Sequence, residues 1–355
     1  MKILFVWPVA EFSTFDVAKG LRKAFIKQGH IIEDYRMYQR VKLNRNILQA
    51  SAPEGKTVSP DTVARMASEA LAHKMILAQS DWVFIVGGVG VDLDAIFALK
   101  AIGGKVATFF TESPYETNTK QELGMAALCD VAITTDLTTL SSFQEVLDKN
   151  TGGVALHIPH SYDPDVHKPP EEAREANYDV TMIGTGFAYR QFLLEGVNWE
   201  GINFRLGGLW PSIWTSSHLH KYVTEPCVKN EEVIKMYHDS RLVLNPHRYH
   251  PDATATNPRT FEAIASGTLV VCDYREEIAE IFEDAIPMYT PGVPWELEAI
   301  IRRLLANDEE RSNRLQRAME AVKSHTFEAR AAEISKTLSS FKRRDIREES
   351  AKLAS

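Results

Sequence analysis

The feature that most constrains this chain is a regular alternation of short apolar runs and helix-length segments between Trp82 and Ile158. Trp82-Val-Phe-Ile-Val86 has strand length and ends in Gly87-Gly88. Leu93–Ile102 reads as a helix closed by Gly103-Gly104, and Lys105–Phe110 as the next strand. Segment 119–128 is helical, Val131–Thr134 a strand, 138–148 helical and Val154–Ile158 a strand. Strands alternating with helices predict βα units in a doubly wound sheet. The start of the chain fits the same plan. Residues 2–7 form a buried strand, and 14–28 a helix with Phe15, Ala18, Leu21, Phe25 and Ile26 on its apolar face. Gly29 ends that helix, and Ile31 and Ile32 begin a second strand. Segment 42–60, with Asn44, Asn46, Ser51, Pro53 and Gly55, reads as a loop of the kind that holds acceptors or closes over them. A helix follows from Pro60 to Gln79.

The pattern lapses at 160–178, where Pro164, Pro169 and Pro170 are followed by a run of charges. It then restarts. Asp179–Ile183 is a strand, Gly184-Thr-Gly186 a tight turn, and a helix runs through Tyr189 and Phe192. Ile202–Leu206 and Arg241–Asn245 are strands, with a helix at Glu231–Asp239 between them. A short strand near Ile286–Tyr289 and helices at 294–306, 308–324 and 326–341 precede a charged tail. The expected division is a first domain at 1–165, a linker at 166–178, a second domain at 179–325 and a helix with tail at 326–355. The fold class is α/β, with two doubly wound domains facing each other across a cleft. Ligands in such sheets collect outside the carboxyl ends of the strands.

One stretch of the second half carries the most chemistry, Asn257-Pro-Arg-Thr-Phe-Glu262-Ala-Ile-Ala-Ser-Gly267 followed by the apolar run Thr268–Cys272 and Asp273. Asn257 suits a helix N-cap and Pro258 the first helical position. Phe261, Ile264 and Ala265 recur at helical spacing and predict a face against a sheet. Gly267 suits the left-handed end of the helix. Arg259 and Glu262 stand three apart near the positive end of this helix. Free N–H groups and an arginine suit the phosphates of a sugar nucleotide, and a carboxylate one turn in suits ribose hydroxyls. A surface ion pair on an ordinary helix fits the same residues.

The other candidates also follow predicted strands. Gly184, Thr185 and Gly186 allow a phosphate to approach the backbone, with Arg190 one turn later. Asn245 and His247 lie at the mouth of another strand, and Glu112, Ser113 and Tyr115 at the mouth of a first-domain strand, where a carboxylate would bind an acceptor or act as a base. Composition narrows the classes. A formal net charge of -8 argues against a polyanion-binding surface. Cys129, Cys227 and Cys272 have neither disulfide nor zinc spacing, so a reducing cytoplasm is expected, and Cys272 is expected in the core. The eleven histidines form no metal signature. No apolar run reaches membrane-spanning length, and the N-terminal one is too short for a signal peptide.

With these residues in view, the second half resembles the CgeB-type (spore-maturation-protein-like) glycosyltransferases. The likeness rests on Gly184-Thr-Gly186 with Arg190, Gly207-Gly208-Leu-Trp210-Pro211, Asn245-Pro-His-Arg248 and Asn257-Pro-Arg-Thr-Phe-Glu262, with Thr111-Glu-Ser-Pro-Tyr115 matching in the first half. The resemblance implies a GT-B fold, donor nucleotide in the C-terminal domain and acceptor in the N-terminal one. It implies metal-independent transfer, without cofactor, from a nucleoside-diphosphate sugar, a UDP-sugar above all, with retention of configuration. By position, Glu262 would bind the donor ribose. Arg259, Thr260 and the helix N-terminus would bind the pyrophosphate, helped by Gly186 and Arg190, with Asn245, Asn257 and Phe261 beside them. Cys227 and Val228 would border the base. Arg259, Glu112 and His247 would be catalytic, and Ser113, Tyr115 and His160 would lie on the acceptor side. Many retaining relatives carry a second carboxylate eight residues before the first, whereas here Thr254 stands there and Asp252 is the nearest acid. Polysaccharide, protein, metabolite and hydroxylated nucleic-acid base all remain open as acceptors. A sugar-nucleotide epimerase using Glu112, His160 and His247, and a non-catalytic binding module, remain alternatives.

Overall fold

The computed structural model describes residues 1–9, 13–53, 56–115, 119–172, 175–210, 217–225 and 230–342. The chain divides into two units. Unit 1 holds Met1–Pro159 and the C-terminal helix, and unit 2 is His160–Thr326.

Unit 1 runs β1 (Lys2–Val6), α1 (Ser13–Lys27), β2 (Ile31–Tyr35), α2 (Met37–Ser51), α3 (Pro60–Ser68), α4 (Leu71–Ala78), β3 (Trp82–Val86), α5 (Leu93–Ala101), β4 (Val106–Phe110), α6 (Thr119–Ala126), β5 (Val131–Thr134), α7 (Leu140–Asn150) and β6 (Val154–His157). The six strands are all parallel, in the order β2-β1-β3-β4-β5-β6. Every residue of β3, β4 and β5 is buried, as unbroken apolar runs require when helices cover both faces. Leu4, Val83, Ile85 and Val106 join one core, and Ile3, Phe5, Phe84 and Ala107 the other.

Unit 1 departs from the sequence reading in three places. Segment 42–60 is not a loop throughout, because α2 continues to Ser51. Its Asn44 and Asn46 are weak helix formers, but neither Gly nor Pro interrupts 37–51, and buried Met37 with half-buried Val41 anchors one face. The helix expected from Pro60 to Gln79 breaks into α3 and α4 after Ser68. Ile26, expected on the apolar face of α1, is 45% exposed.

Unit 2 runs β7 (Tyr178–Ile183), α8 (Ala188–Glu195), β8 (Phe204–Gly207), β9 (Val223–Glu225), α9 (Asn230–His238), β10 (Ser240–Asn245), α10 (Pro258–Ala265), β11 (Leu269–Asp273), α11 (Glu276–Phe282), β12 (Met288–Tyr289), α12 (Pro294–Ala306) and α13 (Asp308–Val322). Its parallel sheet has the order β12-β11-β10-β7-β8-β9. The chain thus starts mid-sheet at β7, winds outward to β9, then returns to the other side at β10. The crevice at this reversal lies at the carboxyl ends of β7 and β10. The short β9 and α11 have no counterpart in the sequence reading.

The last helix, α14 (Phe327–Ser340), leaves unit 2 and packs in unit 1. Phe327, Ala331, Ile334 and Leu338 enter the same core as α1, and Lys27 Nζ meets Glu328 Oε1 at 2.7 Å. Segment 160–165, expected in the first domain, groups with unit 2. Cys129 and Cys272 are both buried, and burial pushes the Cys129 thiol up to about 12.

Candidate functional site

The helix α10 forms as its sequence predicts. The Asn257 side chain accepts from the Arg259 backbone N–H at 3.1 Å, and Pro258 takes the first helical position. Phe261 and Ile264 are fully buried beneath it, each worth about 1.5–3 kcal/mol in surface removed from water. Gly267 adopts φ +89°, and the chain turns directly into β11. The N-terminus of α10 therefore opens beside the end of β10, at the reversal of the sheet.

Asn245, the last residue of β10, binds that N-terminus in place. It is fully buried. Its Nδ2 donates to Asn257 Oδ1 (3.0 Å) and Thr260 Oγ1 (2.8 Å). Its Oδ1 accepts from Asn257 Nδ2 (2.9 Å) and from Arg259 Nη1 (2.7 Å). The Arg259 guanidinium is thus aimed back over the helix N-terminus rather than toward Glu262. Arg259 also bonds the hydroxyl of Tyr237, whose ionisation is pushed up first by burial and then by the charge of Glu262.

A second guanidinium arrives from α8. Arg190 is buried, not an exposed helix residue. Its Nε donates to Pro246 O (2.7 Å) and Nη1 to Thr185 O (3.0 Å), joining the turn after β7 to the loop after β10. Both arginines converge on Gly184, where a Cβ would stand 2.9 Å from Arg259 Nη2 and 3.1 Å from Arg190 Nη1. A side chain at 184 would occupy the ground that the two cations share. Like charges this close repel, and an anion bound between them relieves that repulsion.

The wall of the site comes from residues that the sequence reading did not single out. Asp273 Oδ1 accepts from the His247 backbone N–H (2.7 Å) and pairs with His247 Nδ1 (2.8 Å). Arg275 Nε meets Asp273 Oδ2 at 3.2 Å. Burial opposes the ionisation of Asp273, but the His247 contacts and Arg275 outweigh it and hold the carboxyl at about 2. Burial lowers the pKa of His247, against the opposing pull of Asp273. Arg275 further donates to Arg248 O (2.7 Å) and Ala253 O (2.5 Å), and Glu277 Oε2 accepts from Thr256 N (2.9 Å). Three residues at and just after the end of β11 thereby fasten the loop between β10 and α10. The signal available was position alone, since Asp273, Arg275 and Glu277 follow an apolar strand as the chosen candidates do.

The structure sorts the remaining candidates. Gly184, Thr185, Arg190, Asn245, Asn257 and Arg259 come together at the β7–β10 reversal. Thr260 lies beneath the helix, its hydroxyl bonded to Asn245, and Phe261 points into the core against Phe282 and His325. A Cβ on Gly186 would stand 2.4 Å from the Trp210 ring, so this glycine serves close packing. Glu262 is largely covered, its side chain 12% exposed, on the second turn of α10. His247 is buried against Asp273. Cys227 and Val228 lie outside the described residues. Glu112, Ser113 and Tyr115 belong to unit 1 at the end of β4. Glu112 is exposed, whereas the Ser113 hydroxyl is buried and donates to Asp136 Oδ2 at 2.6 Å. His160 is buried and opens unit 2. Among the described residues there is no cluster of three or more His, Cys, Asp or Glu side chains arranged to hold a metal ion, and no helix is long and apolar enough to cross a membrane.

A family model described as glycosyl transferase-like matches residues 190–336, less than half of the chain. No curated protein sequence matches. Solved structures match over nearly the whole length. The Anabaena protein HepE in complex with UDP-glucose is 14% identical with a TM-score of 0.68, covering 96% of this chain and 100% of its own. Sucrose-phosphate synthase from Thermosynechococcus elongatus is 13% identical with a TM-score of 0.67, covering 95% and 98%. An alpha-glucosyltransferase in complex with UDP-glucose and DNA containing an abasic site is 12% identical with a TM-score of 0.65, covering 95% and 98%. The fold is GT-B, with two parallel six-stranded sheets and interleaved helices.

Proposed function

We propose that this protein is a glycosyltransferase that moves a sugar from a nucleoside-diphosphate donor, a UDP-sugar, to an acceptor hydroxyl. One observation carries the reading: two guanidinium groups converge on Gly184 beside the capped N-terminus of α10. That site offers fixed positive charge and helix-end amides to a diphosphate. Family and fold support it, since the glycosyl transferase-like model covers Arg190, Asn245 and α10, and structural neighbours were solved with UDP-glucose. The reading extends to the CgeB type on the strength of the Arg259-Thr-Phe-Glu262 block.

In this reading the bond between the sugar anomeric carbon and the diphosphate oxygen breaks, and negative charge accumulates on the leaving UDP. Arg259, Arg190 and the α10 amides stabilise that charge, so the transfer needs neither metal nor cofactor. Preorganised donors of this kind are each worth about 100-fold or more in rate. Asn245 and the Asp273–Arg275 pair hold the frame against which the donor binds. Glu262 accepts from the ribose. The acceptor attacks from the leaving-group side with retention, and its proton passes to the departing phosphate. Glu112 and Tyr115 belong to the acceptor side, on unit 1, and the enzyme works in the cytoplasm. The acceptor is a hydroxyl on a polysaccharide, protein, metabolite or hydroxylated nucleic-acid base.

Incubation with a panel of nucleotide sugars and acceptors tests the reading. Release of free UDP that depends on acceptor is the expected result. An isomerised sugar, or tight binding with no turnover under any acceptor, would replace transfer with epimerisation or with simple binding.

A further inference from the structure

The segment that the sequence presents as a linker follows α10 closely. Tyr162 packs in the same core as Phe261, and Pro169 lies against Gly267. Between them, residues 163–167 form a tight turn. The His167 backbone N–H donates to Asp163 O at 2.8 Å, and Asp165 N donates to Asp163 Oδ1 at 3.0 Å. The same turn fixes the imidazole of His167, whose Nδ1 accepts from the Asp163 backbone N–H at 3.3 Å.

That bond decides the tautomer. A neutral histidine accepting at Nδ1 carries its proton on Nε2. His167 is only 4% exposed, and its Nε2 is buried without a hydrogen-bond partner. Leaving a buried donor unsatisfied is unfavourable, so the partner it faces is informative. That partner is Glu262 Oε1, at 3.9 Å. The separation is too long for a hydrogen bond and closes with a shift of about 1 Å in the carboxylate.

We infer that His167 is a positioning residue for Glu262, its Nε2–H taking one carboxylate oxygen so that the other faces the hydroxyls of a nucleotide ribose. The inference rests on the assignment of Glu262 to the ribose. In the ligand-free state the carboxylate stands off from the imidazole. A ribose diol engaging the far oxygen draws Glu262 into register, and the His167 bond closes at the same time. The donor's pentose is thereby read by a carboxylate oriented from behind, by a residue that touches no substrate.

Two substitutions separate the roles of the imidazole. In His167→Asn the amide oxygen can stand where Nδ1 stands and keep the Asp163 turn, but the side chain stops short of Glu262. In His167→Gln the amide nitrogen extends to the Nε2 position. Calorimetric titration with UDP and with 2′-deoxy-UDP gives an affinity ratio within each variant, so a partial loss of folded protein cancels. The wild type is expected to prefer UDP by about tenfold, the scale of one hydrogen bond to a charged group. His167→Asn should lose most of that preference, His167→Gln should recover most of it, and Glu262→Ala should abolish it. Should Glu262→Ala lose the preference while His167→Asn keeps it, the positioning role is overturned and the ribose assignment stands. A preference that survives Glu262→Ala removes the ribose assignment and the role of His167 together. Equal behaviour of the Asn and Gln variants would reduce His167 to a structural part of the turn.

Discussion

The two sheets share a plan and differ in what they place at the point where their strand order reverses. In unit 1 the reversal lies between β1 and β3, and among the described residues aromatic rings stand beside it. Trp7 directly follows β1, with the Phe15 ring 4.9 Å away and the Tyr38 ring 5.0 Å beyond that. One charge beside these rings is matched. Asp34 accepts from Trp7 Nε1 and, at two oxygens, from Arg22, and although burial opposes it these bonds hold its carboxyl below the ordinary range. In unit 2 the reversal lies between β7 and β10, and two arginines meet there over a helix N-terminus. Topology thus opens a crevice twice in this chain, while the residues at the strand ends decide what each could hold. A cationic crevice suits a diphosphate, and a crevice of rings suits the faces of a less charged ligand.

The largest effect expected from breaking this contrast is on the frame of the unit 2 site. Asp273→Asn removes the buried anion that meets both His247 and Arg275, a change that costs about 3–5 kcal/mol. Urea unfolding at neutral pH measures it. The same substitution at Asp34 should cost clearly less, because that pair is partly exposed. Acid sharpens the comparison. Asp273 is held at about 2 in the folded state, below the ordinary carboxylate value of about 3.9. A depressed folded pKa contributes stability that is complete above about pH 4 and disappears as pH falls toward 2, amounting to about 2–3 kcal/mol. His247 acts earlier in the descent. Its pKa is lowered by burial, so below about pH 6.5 the unfolded chain takes up a proton that the folded one refuses, and stability declines. Asp273→Asn should flatten the acid limb below pH 4. An unchanged limb would remove Asp273 from the frame.

Next in size is the loss of one of the converging cations. Arg259→Ala should lower turnover by about 100-fold or more, because the missing charge matters most as UDP departs. Its melting temperature should fall only modestly, since Asn245 keeps Asn257 and Thr260 as partners. Initial rates with a UDP-sugar, read beside thermal melts, separate the two effects. Full activity in this variant would exclude the α10 site from catalysis and turn attention to unit 1.

Much of this arrangement was legible in the sequence, and the missing part has a common cause. The apolar runs located eleven of the twelve described strands, most closely where burial on both faces leaves a local signature, as in β3, β4 and β5. The Asn257 cap, Pro258 and Gly267 were legible because capping chemistry acts between near neighbours. Helix α2 was missed because its signal is a shallow apolar face under a polar surface rich in Asn, Gln and Arg. The wall of the site was missed for another reason. Asp273 meets His247 across 26 residues, and Arg275 meets Arg248 across 27, and no period or spacing rule connects such pairs. Arg190 was recognised as a phosphate candidate, but its burial and its bond to Pro246 appear only once β7 and β10 lie side by side.

The smallest expected effect is also the sharpest division between the two units. Glu112 is exposed at the end of β4 in unit 1, on the same kind of strand mouth that carries the arginines in unit 2. If donor chemistry belongs to unit 2 alone, Glu112→Gln removes a charge without removing any part of the diphosphate or ribose site. The affinity for UDP should then stay within about twofold of the wild type, less than about 0.5 kcal/mol. Turnover with acceptor should fall, because an acceptor-side carboxylate acts only after the donor is bound. Calorimetry with UDP and initial rates at saturating donor measure the two quantities on the same preparation. A loss of UDP affinity as large as that from Glu262→Ala would place the nucleotide against unit 1 and reverse the roles of the two crevices. Unchanged affinity with unchanged turnover would leave unit 2 as the donor side and take Glu112 out of the reaction.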